Sequence, residues 1–251
     1  MSEPADRARF ARDQLGLGQK APIPDLLGLI EGTAGVPVIV AQLGNDGIAG
    51  AYVMRRNTPF ILLNGSNSLV RLRFSLAHEY GHHYLGHAQG VDKVIDLMSS
   101  TPREQEANAF AAELLLPIEA VNWWASKHTN REIDLSYVVT LAQDFGVSAQ
   151  VARYRLQAAG QLRSRRVCQE LDEAIADGDH LTTNPFQTTL ALPEGLREAR
   201  KRKRRLPAAT EAILVKAWEK TILGEDQVAE RLQITKSDLR NVAAVFTNER
   251  E

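Results

Sequence analysis

The sequence predicts an α+β fold: a small antiparallel sheet packed on a helical core, with further helices toward the C-terminal end. Three observations predict it. Short β-branched runs bounded by glycine, proline and asparagine cluster between residues 36 and 64. Apolar residues recur at helical spacing through most of the remainder. Four of the six histidines fall at 78, 82, 83 and 87, within one such helical stretch directly after the strands.

The elements follow in order. Residues 3–16 read as a helix with Phe10 and Leu15 as its larger apolar positions, and Pro24 to Gly32 as a second helix with Leu26, Leu27, Leu29 and Ile30 on one stripe. Val36 to Val40 is a short strand whose proline lies near its start, where a missing N–H is tolerated. Gly47 to Gly50 reads as a turn or bulge into Ala51–Met54, and Arg55 to Pro59 as a hairpin connection into Phe60–Asn64. Ser68 is placed to cap a long helix running to about His87. Another helix runs from Pro102 to Leu116, stopped by Pro117, and helices follow at about 117–128, 135–145, 148–159 and 168–177. Gly178 to Pro193 has the composition of a linker, Arg197 to Arg205 is strongly basic, and Ala208 to Phe246 reads as a small helical module.

Composition sets bounds. A chain of 251 residues can bury one catalytic core and carry a smaller appendage, and 44% hydrophobic with 24% charged residues is ordinary for a globular protein. Thirty basic side chains against 31 acidic ones leave the global charge silent on nucleic-acid partners. A single cysteine, Cys168, excludes an internal disulfide framework and a cysteine-rich metal site, and fits a reducing compartment. Met1 to Gln14 lacks the apolar core of a secretory signal, and no apolar stretch approaches the roughly 20 residues of a membrane span. The expectation is a cytoplasmic protein with no membrane partner.

His78-Glu79-Tyr80-Gly81-His82 carries the chemistry. Histidines four residues apart on a helix project from one face and can reach a single ion. Zinc suits two imidazoles and a carboxylate, leaves a fourth position for water, and lowers that water's pKa to about 7. Glu79, beside the first ligand, is placed to act as general base and to pass the proton on to a leaving amine. The third ligand is sought among the carboxylates of the later helix. Glu104 and Asn108 share a face one turn apart, so Glu104 can bind metal while Asn108 hydrogen-bonds a histidine's far nitrogen. Glu106 points elsewhere and is the runner-up, and Glu113 reads as a solvated position. His83 and His87 repeat the spacing about 100° round the helix but lack an adjacent acid. They are expected to be structural, favoured by the helix C-terminus.

The stretches Arg73-Phe-Ser-Leu-Ala-His-Glu-Tyr-Gly-His82 and Glu104-x-Glu-Ala-Asn-x-Phe-Ala-Ala-x-Leu-Leu-Leu-Pro117 together resemble the ImmA/IrrE family of metallopeptidases. Gly50-Ala51, Ile61–Asn64, Leu141–Ser148 and Arg155-Leu156 are also similar to that family. The resemblance covers roughly residues 20–160. It implies a zincin-like fold of the gluzincin type and a zinc endopeptidase with His78, His82 and Glu104 as metal ligands and Glu79 as base. It also implies a protein substrate, typically a helix-turn-helix repressor, whose cleavage relieves repression. On this reading residues 1–165 are the zinc metallopeptidase domain, 166–206 a helix, linker and basic run, and 207–251 a small helical C-terminal module.

The rival reading is a DNA- or repressor-binding regulator whose zinc site is structural or vestigial. Val138 to Leu156 has helix-turn-helix character, with Gly146 at the turn, Ser148 as cap, and Gln150, Arg153 and Arg155 on the second helix. The same pattern arises wherever two helices pack steeply, and that reading is favoured. Asp226 to Leu239 is a second such segment. The run Arg200, Lys201, Arg202, Lys203, Arg204, Arg205 supplies six consecutive positive charges for an accessory, salt-dependent DNA contact. Tyr137, Tyr154 and His128 are equal candidates to stabilise an oxyanion, Trp123 and Trp124 are expected in the core, and a strand edge at 51–54 or 60–64 could receive an extended peptide.

Overall fold

Pro4, with no N–H to lose, opens the first helix, α1 (Pro4–Gln14), and Asp25 caps α2 (Leu26–Gly32) by accepting from the Gly28 N–H at 3.0 Å. The computed structural model describes residues 3–44, 49–55, 58–87, 90–92, 101–129, 131–181, 194–219, 221–233, 235–237 and 239–240. Strands β1 (Val38–Ala41), β2 (Gly50–Arg55) and β3 (Thr58–Asn64) precede the long helix α3 (Leu69–Leu85). After β4 (Gly90–Asp92) come α4 (Pro102–Leu115), α5 (Ile118–Lys127), α6 (Leu135–Phe145), α7 (Ala149–Ala158), α8 (Arg165–Ala176) and a 3-10 turn at Asp179–Leu181. The chain continues with α9 (Glu194–Lys201), β5 (Arg204–Arg205), α10 (Ala208–Glu219) and α11 (Glu225–Leu232).

The sheet has the order β4-β2-β3-β1-β5, and it is mixed rather than antiparallel. β2 pairs antiparallel with β3 as the hairpin signal predicts, but β1 runs parallel to β3, with Val38 opposite Ile61 and Ala41 opposite Asn64. β2 lies outside β3, so the chain leaving β1 crosses to the far side of β3 before returning, and β1 and β3 end up pointing the same way. The expected turn or bulge at 47–50 lies partly outside the described residues, and Gly50 itself is the first residue of β2.

One face of the sheet packs on α3, and α4 crosses α3 on its other side. Val38, Val40, Ile61 and Leu63 join Leu72, Leu76, Phe110, Leu114, Val138, Leu141, Phe145 and Leu156 in a core that reaches Leu171 of α8 and Leu196 of α9. A second, smaller cluster of Val215, Val228, Ala229, Leu232 and Leu239 holds α10 and α11. Two buried arginines tie the chain before α2 to α1, α3 and α4. Arg12 donates to the carbonyls of Gly18, Ala21 and Leu114, and Arg73 to that of Ile23 at 2.5 Å. Burial, and for Arg73 the neighbouring Arg12, push both guanidiniums down to about 10.

Several local expectations are corrected. Glu113 is not solvated: its side chain is only 1% exposed, between Arg9 at 3.0 Å and Arg155, locking α1, α4 and α7 together. Trp124 is core and donates to Asp144 at 2.7 Å, whereas the neighbouring Trp123 is 43% exposed. Ser68 occupies the cap position of α3 without a side-chain cap bond. The basic run spans the end of α9 and the edge strand β5, and the module expected at 208–246 is described only as far as residue 240.

Candidate metal centre

α3 carries the paired histidines on the face turned toward α4. His78, Glu79 and His82 are all fully buried. Gly81 permits this burial, because a Cβ there would stand 3.0 Å from Phe110 Cδ1 and 3.4 Å from the Ala107 carbonyl of α4. The close crossing brings the first turn of α4 over the histidines. His78 Nε2 and His82 Nε2 lie 3.0 Å apart, and Glu104 Oε2 lies 3.1 Å from the first and 3.6 Å from the second. These three side chains form a group that could hold a metal ion.

The chemistry of the donors fits a cation. His78 Nδ1 is 2.9 Å from Asn108 Oδ1, an acceptor, so the ring proton sits on Nδ1 and Nε2 carries a lone pair. That lone pair faces the Glu104 carboxylate, so a cation placed between the two acceptors would satisfy both. Tetrahedral zinc bonds of about 2.0–2.2 Å require donors about 3.3–3.6 Å apart, and the observed spacings of 3.0, 3.1 and 3.6 Å lie within about 0.3 Å of that range. Asn108, one turn after Glu104 on α4, thus lies against the far nitrogen of His78.

Glu79 points from the same helix toward the sheet. Gly50 of β2 lies against its carboxylate, and a Cβ at Gly50 would stand 2.7 Å from Glu79 Oε1. Two residues along, on the same face of β2, the Tyr52 hydroxyl is 3.2 Å from His83 Nδ1, and burial lowers the His83 pKa.

His87 falls where the helical wheel does not place it. α3 ends at Leu85, Gly86 takes the left-handed conformation at φ 74°, and the His87 N–H donates to the His82 carbonyl at 2.9 Å. The reversal lays the His87 ring beside that of His82, with their Nδ1 atoms 2.8 Å apart. His87 Nε2 in turn reaches Glu106 Oε2 at 2.9 Å. Glu106 therefore lies next to the centre through His87. The signal for this contact was Gly86, a helix-terminating residue one position before a histidine.

Other candidates lie elsewhere. His128 stacks on Trp124 with centroids 3.8 Å apart and Tyr137 packs edge-on to the same indole, so both belong to the α5–α6 packing. Arg153 sits over the Tyr154 ring and pairs with Asp172, and Arg155 pairs with Glu113 and donates to the Leu116 carbonyl at 2.7 Å. Neither arginine of α7 is directed outward for nucleic acid, which supports the packing reading of this helix pair. β3 is interior to the sheet, and the outer edge of β2 is taken by β4 at residues 50–52, leaving Val53 to Arg55.

The basic run is drawn into the fold. Arg205 makes a forked pair with Glu31 at 2.5 and 2.6 Å while β5 adds to β1. Arg202 binds Glu211 at 3.0 Å, Arg204 donates to the Arg231 carbonyl at 3.0 Å, and Arg200 to that of Gly65 at 3.4 Å. Lys201 and Lys203 are the exposed members, the former paired with Glu198.

Residues 32–157, half of the chain, match the family model of the IrrE N-terminal-like domain, Peptidase_M78. The matched region runs from the end of α2 through α7 and contains every residue of the centre. The chain is also similar to uncharacterized immunity region protein 2 of Bacillus phage phi105, with 31% identity over 110 residues. That alignment covers 43% of this chain and 65% of the phage protein, so the chain spans just under two thirds of that relative's length. Among the described residues no helix is long and apolar enough to cross a membrane.

Proposed function

Since the chain belongs to the ImmA/IrrE family of IrrE N-terminal-like peptidases, we propose that it is a zinc-dependent endopeptidase. Its substrate on this reading is a protein, a helix-turn-helix transcriptional repressor whose cleavage relieves repression. The observation that carries the reading is the convergence of His78, His82 and Glu104 within 4.8 Å, with the Glu79 carboxylate one residue from the first of them. A structural metal site has no use for that adjacent acid. The immunity-region name of the phage relative supports a regulatory setting.

His78, His82 and Glu104 would hold the ion, which when bound supplies Lewis acidity toward a carbonyl and toward water. Asn108 holds His78 in the tautomer that leaves Nε2 free of hydrogen. Glu79 takes the proton of the attacking water on a carboxylate oxygen and returns it to the departing amide nitrogen, so the peptide leaves as a neutral amine. Burial of His78, Glu79 and His82 excludes bulk solvent and strengthens the electrostatic interactions among them. An accessory DNA contact through Arg200–Arg205 would fall to the exposed Lys201 and Lys203, since the arginines of the run are engaged within the fold.

The substrate is tested by incubating the zinc-loaded chain with purified helix-turn-helix repressors and with unrelated folded proteins, and reading the products by mass spectrometry. One discrete internal cleavage, abolished by a chelator, is expected. Repressors that all stay intact under conditions where the chain cleaves an unrelated protein would overturn the substrate assignment.

A further inference from the structure

The two histidines of the centre are oriented by different devices. His78 has Asn108 on its far nitrogen, but His82 has another ring, His87, backed by a carboxylate. The metal-binding state of His82 sets the hydrogen-bond roles this second line would take. Glu106 accepts only, so His87 Nε2 carries the proton that reaches it at 2.9 Å. For His82 to bind a metal through Nε2 its proton must sit on Nδ1, and His87 Nδ1, 2.8 Å away, is placed to accept it when His87 carries its own proton on Nε2 toward Glu106. That leaves His82 Nε2 as the bare nitrogen, turned toward His78 and Glu104. Arg103 Nε lies 3.3 Å from the same His82 Nδ1, but it has only a proton to offer and serves the opposite tautomer. Both tautomers of His82 thus have a partner at Nδ1, Arg103 for one and His87 for the other, and only the one that donates to His87 can bind metal through Nε2.

We propose that His87 and Glu106 are positioning residues for the metal centre, a carboxylate–imidazole pair that holds His82 in its ligating tautomer and ring orientation. The proposal rests on the metallopeptidase reading and adds two residues to it. The pair is built from the terminus of α3, where Gly86 turns the chain back, and from the first turns of α4, which also carries Glu104 and Asn108. Two helices therefore supply both the ligands and the groups that orient them. His87 is nearly enclosed, with a side chain 12% exposed, while Glu106 at 50% meets solvent. The exposed acid can be changed without disturbing the core.

The test is zinc affinity of the purified full chain, measured by competition with a chromophoric chelator, beside the melting temperature of the metal-free protein. His87→Phe, which keeps the ring and removes the acceptor, is expected to weaken zinc binding about 10–100-fold. Glu106→Ala should weaken it in the same direction by a smaller factor, with metal-free melting unchanged. His87→Gln, whose amide oxygen can accept from His82, should recover most of the loss, a rescue that a space-filling role would not give. The visible spectrum of the cobalt-substituted protein should shift in His87→Phe and return in His87→Gln. Wild-type affinity in both His87→Phe and Glu106→Ala, while His78→Ala loses the metal, would overturn the positioning role alone. Loss in Glu106→Ala as complete as in Glu104→Ala would make Glu106 a ligand and likewise overturn it. A wild-type chain that binds no zinc would instead overturn the metallopeptidase reading.

Discussion

Gly81→Val is the substitution that bears hardest on how the fold makes the site. A β-carbon at position 81 meets Phe110 Cδ1 at 3.0 Å, its Cγ at 3.3 Å and the Ala107 carbonyl at 3.4 Å, all in a fully buried layer. For Gly81→Ala, the gain in helix propensity of about 1 kcal/mol opposes a contact that Phe110 must relieve by a few tenths of an ångström. The two effects roughly cancel. Valine adds two methyl groups in the same space and forfeits part of the propensity gain, so overpacking wins by about 2 kcal/mol. In a chain of this length that lowers the melting temperature by roughly 4–8 °C. The second consequence is functional. Ala107 and Phe110 follow Glu104 on α4, so a displaced α4 carries Glu104 away from the histidines it now meets at 3.1 and 3.6 Å. The assay is thermal melting with and without excess zinc, since a bound ion raises the melting temperature with the logarithm of its affinity. Gly81→Ala should behave nearly as wild type, and Gly81→Val should melt lower with a diminished zinc-induced rise. A valine variant with the wild-type melting temperature and the wild-type zinc response would refute the idea that this crossing sets the site.

Two further perturbations follow from the same structure. Gly50→Ala places a methyl 2.7 Å from Glu79 Oε1 on a strand held from both sides by Leu63 and Asp92, so the carboxylate must move. A misplacement approaching 1 Å predicts about a 100-fold loss of turnover with zinc content retained, and full turnover would remove Gly50 from the account. Arg205→Ala leaves the Glu31 carboxylate, 11% exposed, without its cation and should cost about 3 kcal/mol in urea unfolding. The paired change Arg205→Met with Glu31→Leu should recover most of that, and an unaltered urea midpoint in Arg205→Ala would show that the ion pair does not anchor the edge strand.

What the sequence made legible is local. The i, i+4 relations of His78 to His82 and of Glu104 to Asn108 are fixed by helical geometry, and the distances between the two helices agree with both. His87 was misplaced because a helical wheel assumes that the helix continues. Gly86 ends it, and the reversed chain returns the ring to His82 rather than carrying it round by 100° per residue. Glu113 read as solvated because its partners, Arg9 and Arg155, are 104 and 42 residues away. The parallel pairing of β1 with β3 and the attachment of Arg205 to Glu31, 174 residues distant, are likewise non-local, and no period in the sequence encodes them. Gly50 could have been recognised as a close backbone approach, but only the fold shows that the approach is to Glu79.

The most direct measurement is to determine zinc content and cleavage on the same preparations of wild type and Glu79→Gln. With a base at Glu79 and ligands at His78, His82 and Glu104, both proteins should hold about one zinc per chain and only the wild type should cut its protein substrate. Cleavage that persists in Glu79→Gln, or a wild-type chain that cuts equally well after its metal is removed, would contradict the account.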